Sequence, residues 1–536
     1  MRRDPDRLTG RTFDLLVVGG GIHGLTIACD GAQRGLSVAL IEGADFGAGS
    51  SFNHLRTIHG GLRYLQTLDL VRARESVGER RTLARIAPHA VRPLPFVLPL
   101  FRSIARGRLA MSAGLLLDRL VAFDRNDGVR ASHRLPAPRI ESRDAAVRRH
   151  PELRRPGLTG AAVWFDYVTI EADRLTFAWA LAADAAGAVL ANHVEARTPL
   201  LEGGRVAGMQ ATDLIGRRDL AIHARLTINA TGGAIDRLIQ PRGPRLPLLQ
   251  AMNLVTRREA GGEALGGRSA SGRHLFLVPW RGRALFGTWE SGSPASAGNA
   301  DLDEQEVAAF IAELNQAFPS LDLTRADVTL VHRGIVPAVV RRGQMTLEGH
   351  EKVRTDVEGA IGIAGAKYTT ARRVAERIVD LAGARLGRTL FPCRTASTPL
   401  PGGDMLDPAS ALAEEARREA DTPLPGDCLP HLIDAYGTLY RDVLAIARQR
   451  PEWRVRLDPG SPVIAAQLVW AARHEMAITL ADATIRRTPL GALGCPGDRA
   501  LEQAARILGE ELGWNTDTQR AEIAAVRRFY ETRGSG

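Results

Sequence analysis

The sequence predicts an α/β fold in which a parallel-sheet core is interleaved with an antiparallel sheet and followed by a helical region. Three observations carry that prediction. The chain opens on an apolar strand, a glycine turn and a helix; strand-like alternation fills residues 245 to 345; and a Pro/Gly-bearing run at residues 398 to 403 sets off the region from about 406 onward.

The first strand, Phe13-Asp14-Leu15-Leu16-Val17-Val18, runs straight into Gly19-Gly20-Gly21-Ile22-His23-Gly24, and a second strand ends at Ile41-Glu42. Gly19 permits the tight turn, Gly21 lets the backbone approach a pyrophosphate, and Gly24 allows close packing of helix on strand. The helix start offers N–H groups and a positive dipole end to phosphates. Glu42, eighteen residues after Gly24, is placed to bind ribose hydroxyls. A dinucleotide site follows, and these residues leave NAD and FAD both open.

Residues 10 to 68 therefore begin the nucleotide core. From 69 to 155 arginine and leucine recur at helical spacing, as in Leu70-Val71-Arg72-Ala73-Arg74-Glu75-Ser76-Val77, which predicts an inserted helical cap. The core resumes over 156 to 244, with a helix from Glu171, short strands around Val189 and Val194, a turn at Gly203-Gly204 and a strand before Asn229. Residues 245 to 345 alternate strand-like runs such as His274-Leu275-Phe276-Leu277-Val278 with polar turns. The core closes over 346 to 392, and Thr398-Pro399-Leu400-Pro401-Gly402-Gly403 links it to a helical domain over 406 to 536.

Composition narrows the function classes. A chain of 536 residues has room for about three domains. Four cysteines, with no C-x-x-C pair, are too few for a disulfide framework and point to a reduced, cytoplasmic setting. No signal peptide is legible at the start and no stretch of apolar residues is long enough to span a bilayer. The net charge of +10 fits an anionic substrate or an anionic membrane face. Nucleic acid fits poorly, because only 5% of residues are aromatic and no zinc finger, RNA-stacking motif or block of consecutive basic residues occurs. Of the 70 basic residues only two are lysines, Lys352 and Lys367, so a surviving lysine is a candidate for a role that needs a compact, rotatable ammonium.

The segment Ser50-Ser51-Phe52-Asn53-His54-Leu55-Arg56-Thr57 leads into Ile58-His59-Gly60-Gly61-Leu62-Arg63-Tyr64-Leu65. Leu226-Thr227-Ile228-Asn229-Ala230-Thr231-Gly232-Gly233, Ile363-Ala364-Gly365-Ala366-Lys367-Tyr368-Thr369-Thr370, and Arg473-His474-Glu475-Met476 with Arg486-Arg487-Thr488 follow in order. Together these motifs resemble the FAD-dependent glycerol-3-phosphate dehydrogenases, members of the wider D-amino-acid-oxidase-like flavoproteins. The resemblance implies a Rossmann-type FAD-binding domain interleaved with an antiparallel-sheet substrate domain and closed by a helical domain. It implies FAD contacts from Gly19, Gly21, Ile22, His23, Gly24 and Glu42 at the first turn, and from Ser50, Ser51, His59, Gly60 and Gly61 in the covering segment. Further contacts are implied from Val194, from Ala230, Thr231 and Gly232, and from Gly365, Lys367, Tyr368 and Thr369. His59, Arg63 and Lys367 match positions on the substrate side of the flavin, His59 as base or orienter, Arg63 as an anion clamp, Lys367 as a point charge. The implied partners are a small anionic substrate and an electron acceptor such as quinone. Residues 98 to 120, basic and apolar by turns, suit either a contact with a membrane surface or a buried cap helix.

Two positions depart from the family. Gly334-Ile335-Val336-Pro337 stands where a Gly-Val-Arg-Pro run usually carries a substrate-binding arginine, and Ala251-Met252-Asn253 stands where Gly-Ser-His places a histidine. The family's Gly-Thr-Thr-Asp reads Gly287-Thr288-Trp289-Glu290. Val336 supplies no charge and Asn253 no base, which leaves open a different small anionic hydroxy compound or amine as substrate, or a flavoprotein without catalysis. Arg333, His332, Arg341, His54 and Arg56 are the nearby groups that could compensate.

Overall fold

The computed structural model describes residues 1–65, 68–103, 107–150, 153, 155–292, 294–295, 302–341, 344–365, 367–405, 408–419 and 424–531, with the backbone alone for Arg63, Arg341 and Gln344. Its first sheet runs Lys352–Arg354, Ala360–Ala364, Arg218–Asn229, Thr12–Val18, Val38–Ile41, Val189–Ala191. All neighbours are parallel except the first pair. Such strands are buried on both faces, so Leu15, Leu16 and Val17 are all fully buried. The helices Ala172–Ala185 and Ala371–Leu386 both pack on the helix Ile22–Gln33 that follows the glycine turn. An antiparallel meander of Val194–Glu202 and Arg205–Asp213 continues from Arg218–Asn229.

The second sheet runs Gln344–Leu347, Val328–Arg341, Leu248–Glu259, Arg283–Glu290, His274–Trp280, Ala264–Arg268, Arg92–Phe101, Leu158–Val168, Thr57–Ile58, with Arg139–Ser142 on Leu158–Val168. Two expectations are corrected here. Residues 69 to 155 are not all helix: Leu70–Ile86 and Arg108–Val121 are, but Arg92–Phe101 between them is a strand. Pro93, Pro95 and Pro99 forbid a helix there. They share one parity, so their missing N–H groups fall on one edge and the ladder to Leu158–Val168 survives. That partner strand, expected in the nucleotide core, belongs to the second sheet instead, because pairing with a strand some sixty residues away, and not its own apolar run, decides its membership.

Helices from Pro408–Arg418 to Thr516–Glu531 gather around Leu432, Leu444, Leu468, Leu501 and Leu508, all fully buried, and this cluster extends onto Trp280, Leu285 and Leu330 of the second sheet. Buried ions fasten the helical region to the nucleotide core. Arg487 grips Asp45 through two bonds of 2.6 and 2.7 Å, and Arg486 bridges Asp45 at 2.8 Å to Asp482 at 2.7 Å. Nearby, Arg174 meets Glu475 at 2.5 Å and lies over the Tyr436 ring. Asp45, His193 and Asp482 lie close enough to hold a metal ion, but the two arginines already occupy both carboxylates. The cluster is a charge-paired joint.

Candidate active site

The glycine turn is built by close approach. A Cβ on Gly19, whose φ is +107°, would sit 2.6 Å from the Ala230 carbonyl oxygen, and one on Gly24 would overlap the Gly19 carbonyl. Gly21 caps the following helix and has no side chain to bond its N–H groups; the first of them, Ile22 N, donates to Ser51 Oγ at 2.9 Å. Glu42 accepts from Gly20 N at 2.6 Å and Ala44 N at 2.8 Å, while burial pushes its carboxyl above the usual range. Val194 backs it, donating its N–H to the Glu42 carbonyl at 2.8 Å. His23, in the first helical turn, faces Gly365, and burial drives its imidazole down to about 4 despite the attraction of Glu351. Across the turn, Thr231 Oγ1 donates to Asn229 Oδ1 at 2.6 Å and Gly232 takes a φ of +58°. Ser50 turns away, toward the Ile335 carbonyl.

The covering segment meets the third motif at His59. Its backbone N–H donates to Thr369 Oγ1 at 3.2 Å, its Nε2 lies 2.6 Å from Thr57 Oγ1, and its Nδ1 lies 3.4 Å from Asp166. Half of the His59 side chain is exposed. Lys367 sits 3.9 Å above the Tyr64 ring, and Tyr368 stacks on His54 and bonds Thr176 through its hydroxyl at 2.9 Å. The Arg63 side chain lies outside the described residues. Sequence reasoning missed Asp166 and Arg80, whose guanidinium bonds that carboxylate; a lone aspartate in the run Ala-Ala-Val-Trp-Phe-Asp-Tyr-Val was the available signal.

The substrate-side candidates divide. Asn253 is buried and spends its amide on the chain itself, donating to the Asn53 carbonyl at 3.0 Å and accepting from Thr288 Oγ1 at 3.1 Å. Val336 packs with Leu249 and Ala338. Cross-strand partners share a face, and Asn253 pairs with His332 while Met252 pairs with Arg333. Arg333 therefore leaves the sheet on the face opposite Asn253, which corrects its expected place beside it. Arg56 is committed to Asp173 at 3.3 Å between the Phe52 and Trp280 rings, and His332 packs against the same two rings.

Residues 14–381 match the sequence profile of the FAD dependent oxidoreductase family. The chain belongs to that family. Residues 393–519 match the C-terminal domain of alpha-glycerophosphate oxidase. A glycerol-3-phosphate dehydrogenase of Synechocystis sp. is 31% identical, over 99% of this chain and 98% of that protein, and one of Mycobacterium leprae is 30% identical over 98% and 89%. Among solved structures, the glycerol-3-phosphate dehydrogenase of Bacillus halodurans complexed with FAD shares the fold, with a TM-score of 0.78, 24% identity and coverage of 98% of this chain and 96% of that one. L-proline dehydrogenase from P. horikoshii aligns with a TM-score of 0.53 over 72% of this chain.

The protein is thus an oxidoreductase of the FAD-dependent family, and FAD is its cofactor. The residues present fit that group. The glycine turn leaves a side-chain-free cradle at Gly21, where a Cβ would meet only Ser51 Oγ at 3.2 Å. Between the covering segment and the Lys367 turn, the Nε2 of His54 is buried with no hydrogen-bond partner among the described residues, a donor that a bound heterocycle can satisfy.

Proposed function

We propose that the protein oxidises the secondary hydroxyl of sn-glycerol 3-phosphate, giving dihydroxyacetone phosphate. The observation that supports this most is end-to-end similarity: 31% identity over 99% of the chain to a glycerol-3-phosphate dehydrogenase, with the cofactor seat intact. Bound FAD supplies the acceptor for the hydride of the carbinol carbon. Gly19 to Gly24 and Glu42 hold the dinucleotide. His59, half exposed beside the Lys367 turn, takes the hydroxyl proton, and Lys367 with Arg63 holds the phosphate charge. Val336 and Asn253 contribute shape and no charge, so the anion rests on fewer cations than in a site with an arginine at 336. Anaerobic mixing with sn-glycerol 3-phosphate should bleach the flavin absorption, with kcat/KM above roughly 10⁴ M⁻¹s⁻¹. Faster bleaching by another anionic alcohol or an amine, with glycerol phosphate inert, would overturn this substrate in favour of that one.

We also propose attachment to the inner face of the cytoplasmic membrane, with quinone as electron acceptor. The helix Arg108–Val121 turns Leu109, Leu116 and Leu120 outward at 87%, 60% and 66% exposure, with Phe123 at 77% and Val71 at 82%. Exposed Arg108 and Arg119 rim these residues. Such a helix lies in an interface and does not cross it, and among the described residues no helix is long and apolar enough to cross a membrane. Sedimentation with vesicles containing phosphatidylglycerol should carry the protein down, and Leu116→Glu with Leu120→Glu should release it; equal recovery with and without vesicles would refute the attachment.

A further inference from the structure

We propose that Asp166 is a positioning residue that decides which nitrogen of His59 carries the proton. Asp166 lies near the end of the strand Leu158–Val168 with 2% of its surface exposed. It accepts the Gly60 N–H at 2.7 Å, the Trp164 Nε1–H at 3.2 Å and the Arg80 guanidinium, which also donates to the Phe165 carbonyl at 3.1 Å. A Cβ on residue 60 would overlap that guanidinium, so only glycine lets the covering segment come this close. Burial alone would raise the Asp166 carboxyl, but Arg80 and His59 outweigh it and hold the group below the ordinary carboxylate range.

An ionised carboxylate only accepts hydrogen bonds. The group it faces at 3.4 Å on His59, Nδ1, must then be N–H, and in the neutral ring Nε2 is the acceptor, meeting the Thr57 hydroxyl at 2.6 Å. The opposite tautomer would set the Nδ1 lone pair against the carboxylate. His54, the other imidazole near His59, is kept neutral by burial, with Arg56 adding to the effect, so it offers no competing charge. The inference rests on the reading of His59 as proton acceptor. As the hydride carries its electron pair from the carbinol carbon to FAD, the O–H bond breaks, the C=O bond forms, and the proton goes to Nε2 directly or through the Thr57 hydroxyl. The imidazolium so formed keeps its Nδ1–H on Asp166.

The holoenzyme labelled with ¹⁵N-histidine tests this, with His59→Gln used to assign the His59 signals. The native ring should show a protonated Nδ1 and an unprotonated Nε2. In Asp166→Asn the proton should shift toward Nε2, and kcat should fall about 10²-fold or more, with FAD content and KM little changed. A native ring protonated at Nε2 would overturn the proposal even if Asp166→Asn failed to fold. An unshifted tautomer with kcat within threefold of native in Asp166→Asn would overturn it as well. Turnover of His59→Gln reads the base role separately: if it is unchanged, the proton-acceptor reading falls and takes the kinetic expectation with it, while the tautomer spectrum alone decides whether Asp166 sets the ring.

Discussion

Replacing Gly21 with valine separates the cofactor seat from the fold that makes it. Gly21 has φ −76° and ψ −179°, an extended conformation that valine adopts without strain, and its Cβ would meet nothing nearer than Ser51 Oγ at 3.2 Å. The protein should therefore fold. The branched side chain, however, fills the space through which a pyrophosphate reaches the first N–H groups of the helix Ile22–Gln33. Two charge-assisted hydrogen bonds lost, at about 1.5–3 kcal/mol each, amount to roughly 3–6 kcal/mol, or on the order of 10² to 10⁴ in the FAD dissociation constant. The assay is quenching of free FAD fluorescence by apoprotein, with circular dichroism and Tm as the check on folding. Gly24→Ala is the contrasting variant, since its Cβ overlaps the Gly19 carbonyl and should cost soluble protein itself. A folded Gly21→Val protein that binds FAD within threefold of native would refute the placement of the pyrophosphate.

Other outcomes follow from the same geometry. Arg63→Ala or Lys367→Met should lower kcat/KM on glycerol phosphate by about one to three powers of ten with the flavin retained; native kinetics in both would remove them from the anion site. Arg487→Met leaves Asp45 buried with one guanidinium fewer and should cost about 3–5 kcal/mol, seen as a lowered apparent Tm and faster proteolysis between the core and the helices. The His193 imidazole is raised above 6.5, since Asp482 and Asp45 outweigh the burial that opposes them. A raised value means that its contribution is complete below about pH 6.5 and is lost as pH climbs through the folded value. Apparent Tm should fall across that window in the native protein and fall less in His193→Gln; equal slopes would contradict the pairing.

The strand, glycine turn and helix at the start are legible because their signals follow one another without a break from Phe13 to Gly24, although the contact that demands glycine at 19 comes from Ala230, far along the chain. His59 and Lys367 are candidates for a different reason, as parts of motifs. Leu158–Val168 was misplaced because an apolar run says that a strand is buried without saying which sheet buries it. Arg333 was misplaced by one residue of register, which in a strand is the whole thickness of the sheet. The pairing of Arg487 with Asp45 spans 442 positions, and nothing in either residue's surroundings names the other.

That last pairing makes the loop after Glu42 depend on the helical region. Asp45 sits three residues past Glu42, and just beyond it the loop is tied to the glycine turn by the Gly47 N–H on the Gly20 carbonyl at 2.9 Å. The arginines that neutralise Asp45, Arg486 and Arg487, stand 441 and 442 positions further along the chain. Without them the buried Asp45 carboxylate keeps the Asn192 amide at 2.9 Å but no counter-ion. The cofactor side of the core thus leans on two side chains of the helical region, and Arg486→Met with Arg487→Met is expected to lower FAD content along with stability; unchanged FAD content in that variant would contradict the dependence.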